Sequence, residues 1–474
     1  MATFPSPRIF RFLPLTLALW LPHAWSHAEQ DIPSQIPGLA ELPDVSGDLQ
    51  ARIEANGGFL NLEPGVHRIT KGLTIDLTKF PNGGVRAAGG KATLVMEGAG
   101  PAIRLAGSHE GSADPKSFNP ATWNEASPVV ADITILGHHP EADGIELFQC
   151  VQPIINKVSI RGCRHGIHLA TRNRNVLISE CQIFENEGIG IFYDDVNLHQ
   201  SNITHCHISY NRQGGVAVRD GNVRNLQITG CDIEANMPGD PDTPADHIAN
   251  VLLDVSTSDG DKSKSIAEVS ITGCTIQHSA NYGADAEKTV APGGANIRFL
   301  GKEVYPIDSV AITGNVMSDT TTNVHLQYCT DITLSGNTFF APKPDQLIVT
   351  HSKRITVTGN TFNPREFERP GALRFVDSSD CVVSACSIFD AKSREGAVIL
   401  ENCDGFILNG LNLTDCSRGI VLKNSSDTLI TNCRVARTDS DAPDLEIDQG
   451  SKAIQLEGNR FNGTQTIAEG SLAK

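Results

Sequence analysis

The sequence predicts an all-β solenoid, and three observations carry that reading. An apolar-x-apolar-x-x-(Cys/Asn) phrase recurs at steps of 22 to 25 residues, a second Gly-Ile-x-Ile phrase lies between its copies, and no run of helical period interrupts them. Aromatic residues make up only 5% of the chain while glycines number 43, which suits short strands and tight turns better than a helical core.

The first phrase appears as Val176-Leu177-Ile178-Ser179-Glu180-Cys181, Leu226-Gln227-Ile228-Thr229-Gly230-Cys231, Val269-Ser270-Ile271-Thr272-Gly273-Cys274 and Ile332-Thr333-Leu334-Ser335-Gly336-Asn337, with further copies ending at Cys206, Asn315, Asn360, Cys386, Cys433 and Asn459. Cys181, Cys206 and Cys231 are 25 residues apart, and Asn315, Asn337 and Asn360 are 22 and then 23 apart. The second phrase reads Gly144-Ile145-Glu146-Leu147, Gly166-Ile167-His168-Leu169, Gly188-Ile189-Gly190-Ile191, Gly215-Val216-Ala217-Val218 and Gly419-Ile420-Val421-Leu422. Alternation sends every second residue of each strand into the tube and the residue between them outward.

These repeats resemble the right-handed parallel β-helix family of pectate lyases, polygalacturonases, polysaccharide epimerases and phage tailspikes. The resemblance covers about residues 49 to 463, and the stretch Asp48 to Ile69 looks like the capping helix and first strand of such proteins. The expected organisation is a signal peptide over 1–28, a linker over 29–47, the β-helix over 48–465 and a tail over 466–474.

The N-terminus predicts export to the periplasm or beyond. Arg8 and Arg11 precede the apolar run Phe12 to Leu21, and Ser26-His27-Ala28 supplies a small-residue cleavage site. Losing that segment removes two arginines and no acid, so the formal charge of −17 becomes −19. So acidic a chain lacks the footprint for nucleic acid, and no later stretch is long and apolar enough for membrane insertion. A polysaccharide is the expected partner, and a local column of arginines would admit an anionic one.

Twelve cysteines in an exported chain raise the question of a disulfide framework. Six of them share one repeat position with Asn315, Asn337, Asn360 and Asn459, which favours buried thiols stacked along the tube. Cys150, Cys329 and Cys403 form a second column. Disulfides remain the alternative, because neighbouring coils about 4.8 Å apart lie within bridging reach.

In the resembled enzymes the Gly-Ile-x-Ile strands make the substrate sheet. The outward column is then Arg104, Glu146, His168, Gly190, Ala217, Leu252, Arg298, His325, Ile348, Arg374, Ile399, Val421 and Glu446, with a small floor at Gly190 and Ala217. Insertions at 107–129, 237–250 and 277–295 flank that sheet and are expected to wall a cleft. Its candidate catalytic residues are Glu146, His168, Tyr193 and Asp194. Its candidate substrate-binding residues are Asp143, His165, Arg172, Arg174, Arg219, Asp220, His247, Arg298 and His325, with Asp195, Asp246 and Asp254 close by.

Two mechanisms fit these residue types. A hydrolase would use Glu146 and Asp194 as a carboxylate pair. A lyase or epimerase would use His168 and Tyr193 as base and acid, with Arg172 or Arg219 clamping a uronate carboxylate. Asp143 before Gly144-Ile145 is similar to a polygalacturonase element, but Arg164-His165-Gly166 and Asn186-Glu187-Gly188 replace the rest of that set, and the Asp-Pro-His-Asp element of mannuronan epimerases is missing. Asp143 also suits a turn, Asp194-Asp195 a turn or a calcium site, and Tyr193 a stacking platform for a sugar. No CxxC spacing suggests zinc, and calcium is the one cofactor for which candidate ligands exist. A non-catalytic glycan-binding or surface solenoid is the competing reading, and an accessory β-helix handling metal or lipid cargo is a third.

Overall fold

The structure, a computed structural model, describes residues 36–111, 115–240, 242–257, 264–279, 291–365, 369–437 and 441–473. The expected signal peptide lies outside the described residues. Every strand pairs in parallel with the strand one coil on, and the sheet opposite the groove contains 15 strands, so the chain winds about fifteen coils. Each full coil contributes one strand to each of three faces: the groove sheet, a second sheet that follows it, and the sheet opposite the groove.

Helix Ser46–Ala55 closes the N-terminal end by burying Leu49 and Ile53, four residues apart on one face, over the first coil. Asp44 anchors its start, accepting hydrogen bonds from Ser46 N at 3.0 Å and from Thr70 Oγ1 at 2.5 Å. The cap is needed because an open tube would expose apolar side chains and unpaired strand edges. At the other end the expected tail is instead part of the solenoid: Gln465–Ile467 pairs with Leu445–Ile447, and Leu472 bridges to Ile454.

The core is a single apolar column filled by the inward residue of every strand. All twelve cysteines are free and buried, as their repeat position implies. Cys206 and Cys231 donate their backbone N–H groups to the sulfur one coil on at 3.5 and 3.4 Å, and Cys274 donates to Asn315 Oδ1 at 2.9 Å. From there an amide ladder runs through Asn337 to Asn360. The residue before each rung is left-handed, as at Glu180, His205, Gly230, Gly273 and Gly314 (φ 52 to 66°), which explains the recurring Gly-Cys and Gly-Asn pairs.

A second amide ladder, absent from the sequence reading, lines the turn before the groove sheet. Cys163, Asn186, Asn211, Asn236, Asn250, Asn296, Asn323 and Gln346 bond in succession, each accepting from the residue one rung earlier at 2.6 to 3.0 Å. Its members are 0% exposed, and Asn211, Asn236, Asn250, Asn296 and Asn323 each divide the side-chain amide between the next rung and a backbone carbonyl.

Candidate active site

The groove strands are in register along the whole tube. Arg104 pairs with Glu146, Glu146 with His168, His168 with Phe192, Phe192 with Ala217, Ala217 with Leu252 and Leu252 with Arg298. The outward column is therefore as expected except at one coil, where Phe192 stands in place of Gly190. Gly190-Ile191-Phe192-Tyr193 satisfies the strand phrase as well as Gly188-Ile189-Gly190-Ile191 does. Gly190 itself sits at the bend, where an added Cβ would come within 2.8 Å of Asn211 Nδ2 and Gly215 O.

Tyr193 is not a groove residue. It is 0% exposed, pairs with inward Leu169 and Val218, and its hydroxyl bonds Ser201 Oγ at 2.7 Å. Strict alternation places it inside once Ile191 is inside, so a role as catalytic acid or sugar platform is ruled out by its direction. Burial raises its phenol well above the ordinary range, which also removes it from proton chemistry near neutrality.

His168 stands partly exposed on the groove floor. Its Nε2 lies 3.0 Å from Asp194 Oδ2, and its ring stacks on Phe192 at 5.5 Å between centroids and 13° between planes. That contact holds the Asp194 carboxyl below its ordinary range. Glu146 stands one strand away in register with His168, and Arg104 Nη2 reaches it at 3.6 Å. Arg219 follows Asp194 in register one coil on.

Several expected ligands turn out to be supports. Asp143 is 3% exposed; it accepts a two-pronged contact from Arg164 and a third hydrogen bond from His165 N at 3.1 Å, so it fixes the turn beneath the site. His165 accepts from Ile189 N through Nδ1 at 3.1 Å and packs on Phe192 at 5.0 Å, so it props the His168 shelf. Burial pushes it down to about 4, which keeps it neutral.

Arg172 is 5% exposed and lies off the floor, its Nε directed at His109 Nε2 at 3.3 Å and its Nη1 at Asn197. Arg174 lies over the Phe118 ring at 5.1 Å, and Phe118 stacks between His109 and Trp123. His109, Phe118 and Trp123 of the 107–129 insertion therefore cover this arginine pair, which withdraws the buried Arg172 as a carboxylate clamp. Asp220 accepts from Thr257 at 3.2 Å, and exposed His247 faces buried Asp254 at 3.4 Å. Asp194 and Asp195 diverge, the latter pairing with Lys264 at 2.7 Å.

Arg298 is likewise committed. It is 4% exposed and donates to the carbonyls of Ala245, Asp246, Ile248 and Gly293 at 2.5 to 3.3 Å, pinning parts of two insertions onto the floor. His325 accepts from Arg298 Nε at 3.3 Å, and burial with that neighbouring cation holds it at about 4. Among the described residues no group of three His, Cys, Asp or Glu side chains is placed to hold a metal ion.

Two family descriptions match in tandem: "right handed beta helix region" over residues 130–251 and "periplasmic copper-binding protein (NosD)" over residues 256–471. The gene product 12 of bacteriophage phi29, in its pre-mature form, is similar at 13% identity and a TM-score of 0.50, over 90% of this chain and 57% of that one. Tailspike protein 3 of bacteriophage CBA120 is similar at 12% identity and a TM-score of 0.49, over 86% of this chain and 60% of that one. The chain thus spans somewhat over half the length of these two phage proteins. The A-module of a mannuronan C-5 epimerase from Azotobacter vinelandii is similar at 14% identity and a TM-score of 0.41, over 90% of this chain and 96% of that one. No curated protein sequence matches the chain. The coils and the family description matched over residues 130–251 define a right-handed parallel β-helix fold. No described helix is long and apolar enough to cross a membrane.

Proposed function

We propose that this is an exported enzyme that removes a proton from a sugar carbon of a polysaccharide held over His168, as a lyase or epimerase does. The observation that carries the reading is the His168–Asp194 contact at 3.0 Å in the open part of the groove. With Asp194 accepting the Nε2 proton, His168 Nδ1 is left unprotonated and basic, the arrangement a general base needs. Phe192, buried beneath the imidazole stacked on it, fixes the orientation of the His168 ring toward the groove. Glu146, tied to Arg104, accepts sugar hydroxyls. Arg219, one coil beyond Asp194, supplies the cation that would neutralise charge developing on an adjacent carboxylate.

Hydrolysis by Glu146 and Asp194 fits less well. Their backbones lie two coils apart, and the carboxylates turn to different partners, Glu146 to Arg104 at 3.6 Å and Asp194 to His168 at 3.0 Å, so they are not arranged as a facing pair. The test is incubation with alginate, polygalacturonate, hyaluronan and mannan, following ultraviolet absorbance of unsaturated products, reducing ends and carbon-bound proton exchange. Absorbance or exchange that disappears in His168→Ala supports the reading. Reducing ends without either signal would assign hydrolysis instead, and binding with no chemical change would leave a glycan-binding solenoid.

A further inference from the structure

The floor of the groove is closed on one side of His168. Ala217 and Leu252 point outward yet are 0% exposed, and Arg298 beyond them is nearly as buried. The parallel row two residues along each strand closes one coil later, with Arg219 beside Ala217 still partly exposed and Asp254 at 3% and Leu300 at 5%. Ile189, Phe192, Ala217, Ala249, Leu252 and Ala295 form a separate apolar cluster outside the tube, and Met237, Ala245 and Ala291 form another in the covering segments. The cover is held from below, because the Arg298 guanidinium rises from the floor and bonds three carbonyls from 245–248 and one from residue 293. Charged donors to four carbonyls make this a fixed roof.

The other side is open. Thr74 is exposed, Arg104, Glu146 and His168 are partly exposed, and the strands from Thr74 to His168 are in register across three steps. At about 4.8 Å per step the open floor is about 14 Å long, room for about three pyranose rings. A chain lying on this floor in contact with His168 meets the covered part of the floor at Phe192, which is 8% exposed.

From this we infer that the groove receives the end of a polysaccharide chain, with the terminal residue over His168 and the rest leading out over Glu146, Arg104 and Thr74. The inference rests on the groove reading given above. A through-running chain would have to climb over the roof and leave His168.

The test uses the full chain and whichever panel glycan it binds or converts, supplied as size-graded linear oligomers from dimer to octamer and as intact polymer. Affinity, or turnover where there is any, should rise up to about the trimer and then stay level. A converted polymer should be changed from one end, so that any cleavage releases short products of uniform size before viscosity falls. Affinity that keeps rising to the octamer, or conversion at random interior positions, overturns the end-on inference and leaves the groove reading standing. If no panel glycan is bound or changed, both fall together.

Discussion

Asn211 is the place where the buried amide ladder can be tested most sharply. Its Nδ2 donates to Ile183 O at 3.1 Å and Asn236 Oδ1 at 2.7 Å, and its Oδ1 accepts from Asn186 N at 3.3 Å and Asn186 Nδ2 at 2.7 Å. Asn211→Leu keeps the approximate volume but takes the partner from three buried groups at once, Asn186 N, Asn186 Nδ2 and Ile183 O, while Asn236 Oδ1 keeps the Asn211 backbone N–H at 3.2 Å. Each stranded group costs about 1 to 3 kcal/mol, and Ile183 O, which has a second lone pair, sits at the low end. A loss of about 3 to 7 kcal/mol is expected, a large part of a stability that is typically about 5 to 15 kcal/mol. Asn211→Cys should cost about half as much, because elsewhere in this protein a thiol sulfur accepts a ladder N–H, as Cys231 does from Cys206 N. Urea denaturation of both variants, followed by circular dichroism and by amide exchange at the coils flanking residue 211, gives the comparison. A loss below about 1 kcal/mol for the leucine variant, or equal losses for leucine and cysteine, would refute the view that the rungs depend on one another.

Four further outcomes follow from the site. His168→Ala should lower turnover by about 10² to 10⁴-fold with little change in the melting temperature, since the side chain is outside the core; Asp194→Asn should lower it less, by loosening the imidazole. Tyr193→Phe should leave turnover unchanged and cost about 1 kcal/mol in denaturation for the lost Ser201 contact. His109, His165 and His325 are all held at about 4 against an ordinary 6.5, so the fold favours their neutral forms. Their contribution is complete above pH 6.5 and is lost as pH falls from there toward 4, so the melting temperature should drop across that window, with a shallower slope in His325→Gln. Arg298→Met should strip the roof of its anchor, and limited proteolysis should then cut within 240–295 several-fold faster while the coils stay folded.

Much of the architecture was legible because the solenoid repeats its physics. The Cys/Asn phrase located the first ladder and its buried thiols, and twelve of the thirteen outward positions were placed correctly from alternation alone. The thirteenth failed because a slip of two residues preserves the in-out pattern, so periodicity could not separate Gly190 from Phe192; the fit of Gly190-Ile191-Phe192-Tyr193 to the same phrase was the available signal. Alternation also points Tyr193 inward, since it is the neighbour of outward Phe192. The second amide ladder escaped notice because insertions break its spacing, with 14 residues between Asn236 and Asn250 and 46 between Asn250 and Asn296. What insertions cover is set by tertiary contacts that a repeat pattern does not encode. Hence the roof over Ala217 and Leu252, the strap over Arg172 and the carbonyl clamp on Arg298 became visible only in the structure.

The cysteine columns turn the solenoid into a ruler for its own unfolding. Burial pushes the thiols of Cys150 and Cys381 up to about 12 and those of Cys403 and Cys416 up to about 11, so a labelling reagent that needs thiolate is ignored while a coil stays closed. The twelve thiols run from Cys150 to Cys433 at known coils. The order in which they react under mild denaturant would therefore show whether the tube frays from its ends or opens first beneath the groove, without adding any foreign probe.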